Sequence, residues 1–263
     1  MKIWPVLLIL LLPSATDAAS VMKSTRPWPN ATVPYHLTPD LLKTAGTKSK
    51  DCTGWAKWPA ASAAHKVCKA MDDWYQRSGV RFIARDRIDS VQINLNRNAT
   101  TATVGYLPIG NQVNIQPGAN YGSILHEFGH TLGLAHEHQR TDRANFLTIE
   151  PFLQTHLDTC GLKFDPVCND VRNAFPTKAM RLTSDYDPCS LMHYLASQTP
   201  RHKEDPRWGR IFTLTAKGKA AEKACLPQFA NLPPRCRKVG QKCAISIQDA
   251  AIERRFHGLD QPS

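Results

Sequence analysis

Beyond its first dozen residues the chain has no apolar run approaching the roughly 20 residues needed to cross a bilayer. It has no internal repeat and no low-complexity tract, which excludes solenoid and fibrous architectures. No two cysteines are separated by just two residues, so a zinc ribbon and a dithiol redox motif are both excluded. Charged residues make up only 21% of the chain, too few for a long coiled coil. Acidic residues are in deficit, 22 against 33 Lys and Arg, giving a formal charge of +11. That surplus leaves three partners open: nucleic acid, an anionic surface or an acidic substrate. What is present is 263 residues, 42% of them hydrophobic. This suffices for a core in one large or two small domains.

The N-terminus indicates a compartment. Lys2 precedes an apolar stretch, Ile3 to Leu12, broken only by Pro5, and small residues follow from Ser14 to Ala19. This is the pattern of a secretory signal peptide, 1–18, cut near Ala18. Export would place the protein outside the cell or in a periplasm. Eight cysteines then read as disulfides. Eight allow 105 pairings, and the sequence alone selects none. The short loops 160–168, 236–243 and 52–68 invite local bridges, which would leave Cys189 with Cys225.

Residues 27–36 are Pro-rich and read as extended, and 40–62 as an irregular insert. Ala64, Val67, Cys68, Met71, Trp74 and Tyr75 recur at helical spacing within 63–76. Segments 80–83, 91–95 and 112–116 alternate like strands. Helices are expected from about Tyr121 to Leu132 and from Ile247 to Phe256. The half after Glu137 is poorer in regular pattern.

One constellation carries chemistry. Residues 126–136 read His-Glu-Phe-Gly-His-Thr-Leu-Gly-Leu-Ala-His. His126 and His130, four apart on a helix, present their imidazoles on one face and can share a metal. Gly133 suits a left-handed helix stop, after which the chain can bring His136 round as a third ligand. Three neutral nitrogens suit one Zn²⁺ and leave a position open for water. Glu127 can reach that water without being a ligand. The bland alternative is a set of surface or core histidines on an amphipathic helix, but five fixed positions agree with the motif.

This helix resembles that of the metzincin metallopeptidases. Glu137 after the third His, with Arg140, Asp142 and Arg143, resembles the astacin family in particular. So do Ser190-Leu191-Met192-His193-Tyr194, the strands around 103–106 and 112–116, the closing helix, and Trp28 with Val33-Pro34-Tyr35. The resemblance runs through 27–258. It implies an α+β metzincin-like catalytic domain. The N-terminal lobe, about 27–136, would hold a twisted mixed sheet and the zinc helix. An irregular, disulfide-stabilised C-terminal lobe, about 137–258, would end in a helix, with 19–26 a short leading segment and 259–263 a tail. The roles implied are His126, His130 and His136 for zinc, and Glu127 for proton transfer. Tyr194 would stabilise the oxyanion and Met192 form the floor beneath the metal. The strand Gln112, Val113, Asn114, Ile115 and Gln116 would pair with an extended substrate. Glu137 would join a buried network with the mature N-terminus, or simply pair with a nearby Arg.

Departures from the family pattern are visible too. Val80 stands where Cys is common, 95–120 lacks Cys, Leu195 follows Tyr194 where Gly is usual, and Ala144 replaces Asp. Only eight residues, 19–26, lie between the expected cleavage and the domain, which leaves no room for an inhibitory propeptide. Asn30 and Asn98 begin glycosylation sequons. The basic residues at 201–210 and 235–238 suggest a preference for acidic substrates or anionic surfaces, or simply a solvated face. No nucleic-acid-binding module is recognised. The sequence therefore reads as a secreted, monomeric zinc endopeptidase acting on proteins or peptides through a zinc-activated water. Another metzincin of different specificity, or a catalytically idle zinc-containing basic binding protein, are the alternatives.

Overall fold

The computed structural model describes residues 20–160, 166–182, 185–196 and 209–260. The leader, its cleavage site and the basic residues at 201–207 lie outside these. In chain order the elements are β1 (Ser20–Met22), β2 (Thr32–Leu37), α1 (Pro39–Lys43), α2 (Ala63–Ser78), β3 (Arg81–Ala84), β4 (Val91–Leu95), β5 (Thr101–Ala102), β6 (Gln112–Ile115) and α3 (Tyr121–Leu132). Then come β7 (Leu147–Ile149), α4 (Pro151–Thr159), α5 (Pro166–Ala174), β8 (Met180–Leu182), β9 (Phe212–Leu214), α6 (Ala216–Cys225) and α7 (Ile247–Phe256).

The first half is a five-stranded sheet, ordered β3-β2-β4-β6-β5, with helices packed on it. The first four strands run parallel and β5 runs antiparallel at one edge. α2 starts where the Ser62 side chain accepts from the His65 N–H, and ends at Gly79, whose φ of 77° few other residues tolerate. Its buried stripe, including Val67, Met71 and Trp74, faces α3. α3 differs from an ordinary surface helix: every residue from Ile124 to Leu132 is buried. Burial on all sides means that both halves of the molecule close on it. Trp74 Nε1 donates to the Leu125 carbonyl (2.9 Å) and Trp28 Nε1 to that of Thr131 (2.7 Å), so each indole is partnered inside the core.

The second half is more regular than its sequence suggests. Besides α7 it holds α4, α5 and α6, of nine or ten residues each, and the pair β7–β9. Of these, α4 and α6 carry little periodic signal. Their stability comes from a second apolar cluster around Phe146, Tyr186 and Phe212, and from disulfides. The pairing favoured by the short loops is the one observed: Cys52–Cys68, Cys160–Cys168, Cys189–Cys225 and Cys236–Cys243. β1 pairs with β8, and Val21 bridges to Leu134, so the leading segment laces the two halves together.

α7 is set by a capping box: Ser246 Oγ accepts the Asp249 N–H while the Asp249 carboxylate takes the Ser246 N–H. Asp249 also accepts from Ser190 Oγ (2.6 Å) and the Leu191 N–H (2.8 Å). One fully buried carboxylate therefore starts the last helix and anchors the turn at 190–192. Removing it strands several buried donors, each costing about 1–3 kcal/mol. Asp249→Ala is expected to lower stability by about 3 kcal/mol or more, read as a shift in the denaturant midpoint at unchanged slope. A loss below about 1 kcal/mol would contradict this role.

Candidate active site

His126 and His130 project from α3 on one face, as their spacing requires. The helix stops at Gly133, whose φ of 128° and whose position against Phe256, 2.6 Å from where a Cβ would sit, exclude a side chain. The turn returns His136 to the other two. Its Nε2 lies 3.2 Å from those of both His126 and His130. Each ring is oriented through its other nitrogen. His126 Nδ1 faces the Leu191 carbonyl (2.9 Å), His130 Nδ1 that of Leu134 (2.8 Å), and His136 Nδ1 the Gln139 Oε1 (3.3 Å). All three partners are acceptors, so all three Nδ1 atoms carry the proton and all three Nε2 atoms are bare lone pairs.

Burial keeps the rings uncharged. It pushes His130 down to about 4, and His126 and His136 well below the usual imidazole value. Three acceptors converging without a donor repel one another unless a cation sits among them. Tetrahedral coordination at about 2.0–2.1 Å spaces ligand nitrogens by about 3.3 Å, so the set fits zinc. A second cluster, Asp187 with Cys189 and Cys225, does not, because its thiols are joined in a disulfide.

The triad opens into a cavity of about 430 Å³, also lined by Glu127, Tyr194, Gln139 and Lys242. Burial raises the Glu127 carboxyl to about 7, opposed by the Lys242 ammonium and the Ala102 N–H. Tyr194 packs on His138 with the rings tilted by 30° (centroids 4.0 Å) and meets His136 edge-on at 4.7 Å. Met192 lies against Gly129: its Sδ sits 2.6 Å from where a Cβ on that glycine would be. Behind the triad, Glu137 is fully buried. It accepts from Arg140 (3.0 Å), the Asp187 N–H (3.0 Å) and Ser20 Oγ (3.3 Å), so the pairing with a nearby Arg is present, while the expected mature N-terminus lies outside the described residues.

One expectation is corrected. The family resemblance implies that the strand at 112–116 pairs with substrate, but β6 is second from the edge. It is occupied by β4 on one side and β5 on the other. The edge beside the triad is Thr101–Ala102, and Thr100, Thr101 and Ala102 line the cavity. Strand periodicity identifies a strand without revealing its rank in the sheet, and two residues carry no periodicity at all.

Sequence reasoning misses Lys242 and Gln139. Lys242 belongs to the short Cys236–Cys243 loop, far from the helix in sequence, and no local pattern links them. Its carbonyl passes 1.5 Å from where a Cβ on Gly122 would lie. Gln139 lies three residues past His136, and that proximity is the available signal.

A family model for Astacin, a family of peptidases, matches residues 57–217, more than half of the chain and all of the triad. The chain belongs to the astacin family. Astacin-like metalloprotease toxin 2 of Loxosceles intermedia is 30% identical over 138 residues, covering 51% of this chain and 46% of that protein. Zinc metalloproteinase dpy-31 of Brugia malayi is 28% identical over 190 residues, covering 70% and 26%. The chain thus spans less than half the length of these relatives. Among solved structures, high choriolytic enzyme 1, a hatching enzyme zinc-protease from Oryzias latipes, superimposes with a TM-score of 0.58 at 18% identity, covering 98% of both chains. Myroilysin gives 0.52 at 17%, covering 93% and 99%. These two share the fold.

Gly122 offers a sharp test of the geometry. Alanine is favoured over glycine in a helix by about 1 kcal/mol. Here the added Cβ would meet the Lys242 backbone, which cannot swing aside as a side chain would. Gly122→Ala is expected to destabilise by about 1–3 kcal/mol in thermal unfolding. A stabilised variant would show that the loop does not press on the helix.

Proposed function

We propose that the protein is a secreted zinc-dependent endopeptidase, carried by a catalytic domain spanning 27–258 and acting as a monomer. The observation that supports this most is three bare imidazole nitrogens converging in the cavity that also holds Glu127. Zinc held by His126, His130 and His136 would supply Lewis acidity toward a scissile carbonyl and the attacking water. Glu127 takes a proton from that water and passes it to the leaving amine. A carboxyl raised to about 7 is poised for both transfers. The Tyr194 phenol, held at the cavity wall by His138, donates to the oxyanion as it forms. Met192 fills the space beneath the histidines. The substrate lies extended along the outer edge of β5, where the Ala102 backbone faces away from β6, rather than along β6 itself. Lys242, beside Glu127, favours an acidic side chain near the scissile bond. Four disulfides fit an oxidising compartment.

Casein digestion tests the chemistry. Chelation should abolish cleavage and added zinc restore it, while Glu127→Ala should bind one zinc per chain yet lose at least about 10²-fold in kcat/KM. Zinc-loaded wild type that cleaves no peptide in a broad library would overturn the reading. In the same library, Lys242→Ala should lower the preference for Asp or Glu beside the scissile bond by about tenfold. An unchanged cleavage profile would remove Lys242 from substrate selection.

A further inference from the structure

We propose that Gln139 is a positioning residue for His136, and that its side chain sets the affinity of the site for its metal. The inference rests on reading the three imidazoles as a metal centre. The three ligands are not held alike. His126 and His130 stand on a helix, and their Nδ1 atoms meet the backbone carbonyls of Leu191 and Leu134, which no substitution at those positions deletes. His136 follows the Gly133 turn, outside the helix, and its Nδ1 meets a side chain instead.

The orientation of that side chain is determined. Gln139 Nε2 lies 3.2 Å from the Asn173 carbonyl and 3.0 Å from that of Ala174, at the end of α5. Two acceptors there require the amide NH₂, so Oε1 faces His136. His136 must then carry its proton on Nδ1, leaving the Nε2 lone pair toward the other two histidines. Gln139 is fully buried, and its backbone is pinned as well: its N–H donates to the His136 carbonyl (3.0 Å) and its carbonyl accepts from Lys178 (2.8 Å). The side chain has little freedom to do anything else. Outer partners of this kind fix the tautomer and raise ligand basicity, and losing one costs about 10- to 100-fold in metal affinity.

Two variants separate positioning from plain structural support. Gln139→Met keeps the volume and loses the contacts at both ends. Gln139→Glu keeps an acceptor for His136 but can no longer donate to Asn173 and Ala174. Zinc affinity is measured by competition with a chromophoric chelator, the visible absorption of the cobalt-substituted protein reports ligand geometry, and thermal unfolding of the metal-free protein reports support. Gln139→Met is expected to weaken zinc binding about 10- to 100-fold and to alter the cobalt spectrum. Gln139→Glu is expected to bind zinc within about threefold of wild type with a native cobalt spectrum, even where its metal-free form melts earlier, as a retained outer acceptor implies. If Gln139→Met binds as wild type does, or if both variants lose affinity in step with melting temperature, the proposal is overturned. Wild type that binds no zinc would instead overturn the metal-centre reading itself.

Discussion

The structure depends on keeping three uncharged imidazoles with their lone pairs facing one another. Left in water, such rings would turn away or take up protons. Burial removes the second escape by making the charged form costly, and fixed acceptors behind each ring remove the first. The repulsion that remains is the source of cation affinity: the site is arranged before the ion arrives, so little ordering is required on binding. Leu134 and Gln139 supply two of the acceptors from the turn after α3, Leu191 supplies the third from the second half, and Gln139 is itself held by Asn173 and Ala174. The metal centre is therefore a property of the tertiary fold, although two of its ligands share one helix.

That requirement explains why α3 is closed in from every side. Glycine at 122 admits the Lys242 carbonyl, and glycine at 129 admits Met192 and Trp74. With larger residues the second half could not approach closely enough for Leu191 to reach His126. Asp249 fixes the turn that carries Leu191 by serving the cap of α7 at the same time. Glu137 and Arg140 form a buried ion pair behind His136, and the Arg140 guanidinium is shared with the partly exposed carboxylate of Asp142. Such a cluster adds little net stability once desolvation is counted, but it tolerates only one arrangement of its members. Its contribution here is register, tying the leading segment at Ser20 to the backbone of Asp187.

The parts legible in the sequence are those written in local spacing. Helical recurrence locates α2 and α3, alternation locates three strands of the sheet, and the four-residue interval places His126 and His130 together. Three of the cystine pairs are favoured by their short loops, because closing a short loop costs the chain little entropy, and Cys189–Cys225 is what they leave over. What stays hidden requires knowing which segments meet. β6 reads as a good strand whether it lies at an edge or inside, and β5 is too short to read as anything. α4 and α6 carry no strong stripe of their own and are stabilised by contacts made across the second apolar cluster. Gln139 looks like any glutamine until Ala174 and His136 are placed on either side of it.

Net charge shows the same division between composition and place. A surplus of +11 spread over a surface acts only within the screening distance, about 8 Å at physiological ionic strength, so its total says little about any one site. A single ammonium in a half-enclosed cavity is a different object. Around Lys242 water is partly excluded, the field is less screened, and burial lowers its pKa while Glu127 raises it. The two groups stabilise each other's charged forms, and a carboxylate arriving from a substrate would compete with Glu127 for the same cation. Under the proposed mechanism, a change of charge at Lys242 would therefore act on substrate and on Glu127 at once.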